Sequence, residues 1–163
     1  MLFRSRAHRN GLGARLVSGP LGVLLMTYGS PASLDDVPAY LTRIRGGRAP
    51  DAELAEEFTR RYRVIGGSPL VPITLAQAVA LEEQLGPRFR VRAGMRFSEP
   101  SIEAALGSLT AEGVGNAVGI VLSPQWSPLI MGGYIRAVAA AREAIGPASP
   151  EIVMAEEIGR AHV

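Results

Sequence analysis

The stretch Leu21–Thr27 is a largely apolar run, and it stops abruptly at Tyr28-Gly29-Ser30-Pro31. A run of this length closed by turn residues reads as a strand buried on both faces, of the kind found inside a parallel sheet. In an open α/β sheet, ligands bind at the carboxyl ends of the strands. A large polar aromatic at that end is therefore well placed to touch one.

Three further runs have the same character: Phe89–Met95, Ala117–Ser123 and Glu151–Ala155. The segments between them carry helical signals. Ser33 is placed to cap a first helix, with Asp35 and Asp36 in its first turn beside the positive end of the dipole. Asp51 starts a second helix through Leu54, Phe58 and Tyr62, and Gly66-Gly67 ends it. Pro72 opens a third, with Leu75, Val79, Leu81 and Leu85 on or near one face until Gly86-Pro87. Pro100 falls in the first turn of a fourth, which carries Ile102, Leu106 and Leu109 to Gly113. Leu129–Ile145 makes a fifth, ended by Gly146-Pro147. Strands alternating with helices predict an α/β fold, a parallel four-stranded sheet flanked by helices. The first crossover is unusually long, since three of the helices fall between Tyr28 and Phe89. An insertion of that length after a strand builds a site more often than a core.

Composition removes several chemistries. There is no cysteine, which excludes disulfides, zinc-thiolate sites and cysteine nucleophiles. All 17 basic residues are arginine, a bias that a GC-rich coding sequence explains and that rules out a lysine Schiff base. Without lysine there is no GxxxxGK[ST] phosphate loop, and neither a GxGxxG after the first strand nor a GxSxG elbow occurs. The histidines, His8 and His162, stand at opposite termini, so histidine acid–base or metal chemistry cannot be built in the centre of this chain. The net charge of +2 is small and the arginines are mixed with carboxylates, which argues against nucleic acid as a partner. No apolar run reaches the ~18 residues of a membrane span. Residues 1–20, with Arg4, Arg6, Arg9 and Arg15 and no acidic residue, resemble a transit peptide but are expected to be a disordered tail or an over-extended start.

Each of the first three strands is followed by an unusual loop. After Tyr28-Gly29-Ser30-Pro31 come Arg96-Phe97-Ser98-Glu99-Pro100 and Pro124-Gln125-Trp126-Ser127-Pro128. Strand polarity puts all three on one edge of the sheet. There Tyr28, Arg96 and Trp126 would line an aromatic, cationic cleft suited to a flat, anionic, aromatic ligand. Plainer roles stay open at this level: Tyr28 as a core tyrosine, Arg96 paired with Glu99, Trp126 as packing. A second basic loop, Arg45-Gly46-Gly47-Arg48, offers bidentate capture of carboxylates. Arg60, Arg61 and Arg63 crowd the end of the second helix, where they also suit its dipole.

These loops, in this order, resemble the ferrochelatases, which insert ferrous iron into a porphyrin. The matching pieces are Gly22–Pro31, Asp36-Val37, Arg43–Arg48, Arg61–Leu70, Gly94-Met95-Arg96 with Pro100, and Leu122–Ser127. The run ending Ile65-Gly66-Gly67-Ser68-Pro69-Leu70 is the most specific of them. The form Met26-Thr27-Tyr28-Gly29-Ser30-Pro31 with the following Ile44-Arg45-Gly46-Gly47-Arg48 resembles the bacterial coproporphyrin ferrochelatases. The resemblance implies that Tyr28 is an axial ligand to the iron, a hard oxygen donor suited to it. It implies porphyrin contacts for Arg45, Arg61, Tyr62 and Ser68, to which the cleft adds Arg96 and Trp126. Many members carry one more residue between the Gly-Gly and the Ser-Pro, and some carry histidine where Gln125 stands.

On the same resemblance the fold is the chelatase-like (Rossmann-like) N-terminal half of a two-domain enzyme. The catalytic histidine, in a His-Ser-Leu-Pro type motif, and its partner glutamate belong to the other half. No catalytic residue is therefore expected in this chain, and little activity from it alone. No organic cofactor is implied; Fe²⁺ and a porphyrin, coproporphyrin III or protoporphyrin IX, are the substrates. A cytoplasmic monomer with at most peripheral membrane contact is the expectation. The alternatives are a related cobalt chelatase and a non-catalytic tetrapyrrole-binding half-domain. Residues 21–156 form the expected domain. The heptapeptide Glu157–Val163 reads as the translation of a common sequencing adapter and is expected to be read-through.

Overall fold

Why Leu21–Thr27 is so largely apolar is plain from its place in the fold. A computed structural model of the chain describes residues 19–123 and 127–155. Strands β1 (Leu21–Thr27), β2 (Phe89–Met95), β3 (Asn116–Val121) and β4 (Glu151–Met154) form one parallel sheet in the order β2-β1-β3-β4. Strand β1 is hydrogen-bonded on both sides, with Leu25 opposite Ala93 on β2 and Ile120 on β3. Alternate residues serve opposite faces. Leu24 and Met26 pack with Leu106 and Leu109 of α4 (Ile102–Ala111) and with Met131 and Val138 of α5 (Pro128–Ile145). Val23 and Leu25 join Val91, Ala93 and Met95 beneath Ala78 of α3 (Leu70–Leu85). A strand covered on both faces has no polar positions to spare.

The long excursion between β1 and β2 holds α1 (Val37–Ile44), α2 (Ala52–Val64) and α3, as the sequence predicts. Helix α2 buries none of its residues fully; its half-buried stripe Leu54, Phe58 and Tyr62 recurs every four residues, and the helix packs against α1. Its N-terminus is capped by Asp51, which accepts a hydrogen bond from the Leu54 N–H at 2.8 Å.

Several boundaries differ from the sequence reading. Ser33 does not cap α1; the helix starts after Asp36, whose carboxylate accepts the N–H of Ala32 instead. Helix α3 starts at Leu70, two residues before Pro72, because a proline in the first turn lacks only an N–H that would be unpaired anyway. Pro100 precedes α4 rather than entering it, and Ser101 is the cap, accepting from the Ala104 N–H. Strand β3 ends at Val121 and β4 at Met154. The face of α3 that meets the sheet carries Thr74 and Ala78, flanked by Val71 and Leu81, while Leu75, Val79 and Leu85 are exposed. That helix is apolar nearly all round, so size decides its orientation: the small residues allow close approach.

The open edge of β2 is guarded by charge. The Val91 N–H donates to the Glu82 carboxylate at 2.6 Å, and Arg92 spans from Glu82 to Glu112. The Val91 N–H, aided by Arg92, holds the Glu82 carboxyl below the usual carboxylate range. An edge amide tied up in this way cannot template another strand. Among the described residues no helix is long and apolar enough to cross a membrane.

At Gly94 the backbone of β2 meets α4 so closely that a Cβ would stand 2.8 Å from the Cα of Ile102. Gly94→Ala should therefore cost about 1–3 kcal/mol in urea denaturation. Gly107→Ala, in α4 with nothing within 4 Å, should instead stabilise by about 0.5–1 kcal/mol.

Candidate functional site

The pairing of β1 with β2 does not stop where the strands do. Beyond the Thr27–Met95 pair, the Arg96 N–H donates to the Thr27 carbonyl at 3.0 Å and the Phe97 N–H to the Tyr28 carbonyl at 3.1 Å. The Phe97 ring then lies against the Tyr28 ring, centroids 4.6 Å apart and planes tilted by 57°. Gly29 follows with φ of 91°, and a Cβ there would stand 2.2 Å from the Ser98 hydroxyl oxygen. That same oxygen accepts the Ser30 N–H at 3.2 Å. On the other side the Tyr40 hydroxyl of α1 donates to the Gly29 carbonyl at 3.0 Å. Thr27, Gly29 and Ser30 are buried, yet Tyr28 is 44% exposed. A fixed backbone thus presents one phenol outward, and the core-tyrosine alternative does not hold.

Arg96 is not paired with Glu99. Its guanidinium lies 4.6 Å from the Phe97 ring centroid and 5.8 Å from that of Tyr134. It is laid across Gly133 of α5, where a Cβ would stand 2.2 Å from Nη1. Glu99 instead accepts the Ser101 N–H at 2.8 Å. Arg43 of α1 ties the two loops from below. Its Nε donates to the Phe97 carbonyl at 2.7 Å, and its Nη2 pairs with Asp36 at 3.0 Å. A surface ion pair of this kind contributes at most about 1 kcal/mol, so what it supplies is geometry.

Beside this edge lies a cleft of about 640 Å³ between Pro31–Leu34 and the α2–α3 connection, with Tyr62 and Ser68 in its wall. A second of about 410 Å³ adjoins it, where Ser30, Ser98 and Glu99 face Ser68 and Val71. Ser68 lines both, and its hydroxyl accepts the Leu70 N–H at the start of α3. Burial raises the Tyr62 phenol above its ordinary value. It raises Tyr40 and Tyr134 further: Tyr40 is pushed well up by burial and by the facing phenols of Tyr62 and Tyr28. Tyr134 is pushed up to about 12 by burial, against the opposing pull of Arg96.

The structure thus brings Tyr28 and Arg96 together through Phe97, and Tyr62 together with Ser68. Arg45 and Arg61 are exposed and line neither cleft; Arg61 pairs with Glu57 and lies 5.1 Å over Phe58. Trp126 and Gln125 lie outside the described residues, as do His8, His162, the first eighteen residues and Glu156–Val163. Among the described residues no group of three histidine, cysteine, aspartate or glutamate side chains could hold a metal ion. Sequence reasoning did not single out Tyr40, Phe97, Ser98 or Tyr134. A signal existed for Tyr40, which sits with Val37 and Leu41 on the buried face of α1 at helical spacing.

A parallel α/β half-domain that presents an exposed phenol and an arginine on its strand-end loops defines a class with a ligand edge. The family model described as Ferrochelatase matches residues 20–157, and the chain belongs to the ferrochelatase family. It is 43% identical over 139 residues to the coproporphyrin III ferrochelatase of Geobacillus kaustophilus, covering 81% of this chain and 44% of that protein. It is also 43% identical over 128 residues to the ferrochelatase of Deinococcus radiodurans, covering 76% and 40%. The coproporphyrin III ferrochelatase of Geobacillus sp. strain WCH70 is 40% identical over 134 residues, covering 78% and 43%. The chain thus spans about two fifths of the length of these relatives.

The buried phenols carry a pH signature. Tyrosine in the unfolded chain ionises near its ordinary value of about 10, whereas Tyr134 holds its proton to about 12. Their contribution to stability is complete below about pH 10 and is lost as pH climbs toward 12. Denaturation midpoints should fall across that window, and less steeply in Tyr134→Phe.

Proposed function

We propose that residues 21–156 are the N-terminal domain of a ferrochelatase that inserts Fe²⁺ into a porphyrin, coproporphyrin III before protoporphyrin IX, and that this chain supplies the porphyrin-holding side of that site. The observation that carries the reading is the exposed Tyr28 phenol, held by a zipped and buried backbone at the carboxyl edge of the sheet. That the Geobacillus relatives are coproporphyrin III ferrochelatases supports coproporphyrin III as the substrate.

In this reading each residue has a limited task. Tyr28 offers a hard oxygen to the iron of the product from one side of the macrocycle. Arg96, stacked on Phe97 and Tyr134, presents a planar cation beside it; arginine suits both aromatic faces and carboxylates. Tyr62 and Ser68, from the wall of the adjoining cleft, meet the edge of the macrocycle. Arg45 and Arg61, both exposed, capture its carboxylates; Trp126 belongs to the same set. Metal insertion also requires that the pyrrole nitrogens lose their protons. Among the described residues no histidine is present to accept them. The base is assigned to the part of the enzyme that the longer relatives carry. The enzyme would act as a cytoplasmic monomer with no organic cofactor.

Titrating coproporphyrin III with the purified chain should shift and sharpen its main absorbance band. Arg45→Ala and Arg61→Ala should each weaken binding about three- to tenfold, the effect of losing one charge-assisted contact of roughly 1 kcal/mol. The isolated chain should not metallate the bound porphyrin with Fe²⁺. Absence of binding, or iron insertion by the chain alone, would contradict the reading.

A further inference from the structure

We infer that Phe97, with Ser98 and Tyr40 behind it, is a positioning residue that aims the Tyr28 phenol. The inference rests on the reading of Tyr28 as an iron ligand and extends it to residues that are not themselves ligands of the iron. An exposed tyrosine on a strand-end loop is ordinarily free to change rotamer, and the loop to bend with it. Here both freedoms are removed by separate contacts.

The backbone is held first. Two hydrogen bonds past the strand ends tie Tyr28 to the loop of Phe97, as an extension of the sheet. The Gly29 carbonyl receives the buried Tyr40 hydroxyl, and the Ser30 N–H is bound by Ser98. The space where any other residue at position 29 would need its Cβ is filled by that same Ser98 hydroxyl. Only then does the ring contact matter. Phe97 bears on Tyr28 at 4.6 Å, and Phe97 is itself held, its carbonyl by Arg43 and its ring by the Arg96 guanidinium. A tilted aromatic pair at this distance favours one ring orientation over its alternatives. The phenol therefore meets its ligand already oriented, with little rotamer freedom left to lose on binding.

The test uses the full chain with ferric coproporphyrin III and reads the phenolate-to-iron charge-transfer band, which a merely structural residue would not move. Circular dichroism melting and free-base coproporphyrin affinity are measured in parallel. Tyr28→Phe should abolish the band. Phe97→Leu should keep the fold and shift or weaken the band, and it should lower ferric affinity about three- to tenfold, more than it lowers free-base affinity. Phe97→Tyr should restore both. Tyr40→Phe, which removes one hydroxyl and keeps the ring, should move the band in the same direction and answers the question if Phe97→Leu does not fold. A wild-type band and affinity in both Phe97→Leu and Tyr40→Phe would overturn the inference. A wild-type complex without the band would overturn the iron-ligand reading, and the positioning role with it.

Discussion

The site depends on one constraint, the two-sided pairing of β1. Because β2 and β3 both bond it, its carboxyl end is fixed relative to both neighbours, and Thr27 comes to lie beside Met95. The candidate site is then built by letting that register run on. Two more hydrogen bonds carry it into the loops, and the ring of Phe97 arrives against the ring of Tyr28. A helix packed alone could not give such register, since rotating a helix moves all of its side chains together. A ladder sets residues opposite one another one pair at a time.

The second principle is a division of labour among phenols and guanidiniums. Tyr40 and Tyr134 are buried, hold their protons to high pH and serve as struts. Tyr28 is exposed and Tyr62 half-buried, each on an element that reaches the cleft edge. The arginines divide likewise. Arg43 and Arg92 are tied into ion pairs that stitch loops and edges, whereas Arg96 rests on aromatic rings. Among the described residues no carboxylate pairs with Arg96, so its charge stays available at the edge. In a chain without lysine or cysteine, that placement decides which cations are structural and which are presented.

Much of this was legible in the residues. The apolar runs gave β1 and β2 to the residue, because runs of strand length closed by turn residues at their ends leave no room for a helix. Capping chemistry gave the start of α2, where Asp51 has a partner, but failed at Ser33: α1 starts after Asp36 with no side-chain cap, and the Asp36 carboxylate is engaged by Arg43 and the Ala32 amide instead. The orientation of α3 was not legible, since a helix apolar all round has no pattern to read and Thr74 and Ala78 win by size. At the site, loop order placed Tyr28 and Arg96 on one edge, and the plainer alternative of an Arg96–Glu99 pair does not form. Glu99 turns back to accept the Ser101 N–H, while Arg96 rests on the ring of its neighbour Phe97 and on Tyr134 of α5, far along the chain. Tyr40 and Ser98 escaped for the same reason, as their bonds to Gly29 and Ser30 join distant segments.

The central claim is that the carboxyl edge of this sheet is the porphyrin face. Amide hydrogen exchange on the chain with and without saturating coproporphyrin III tests it most directly. Added protection is expected in 28–34, 62–70 and 96–100, with the opposite edge of the sheet, at the starts of β1 and β3, unchanged. Protection centred on that opposite edge, or none at all in the strand-end loops, would contradict the account.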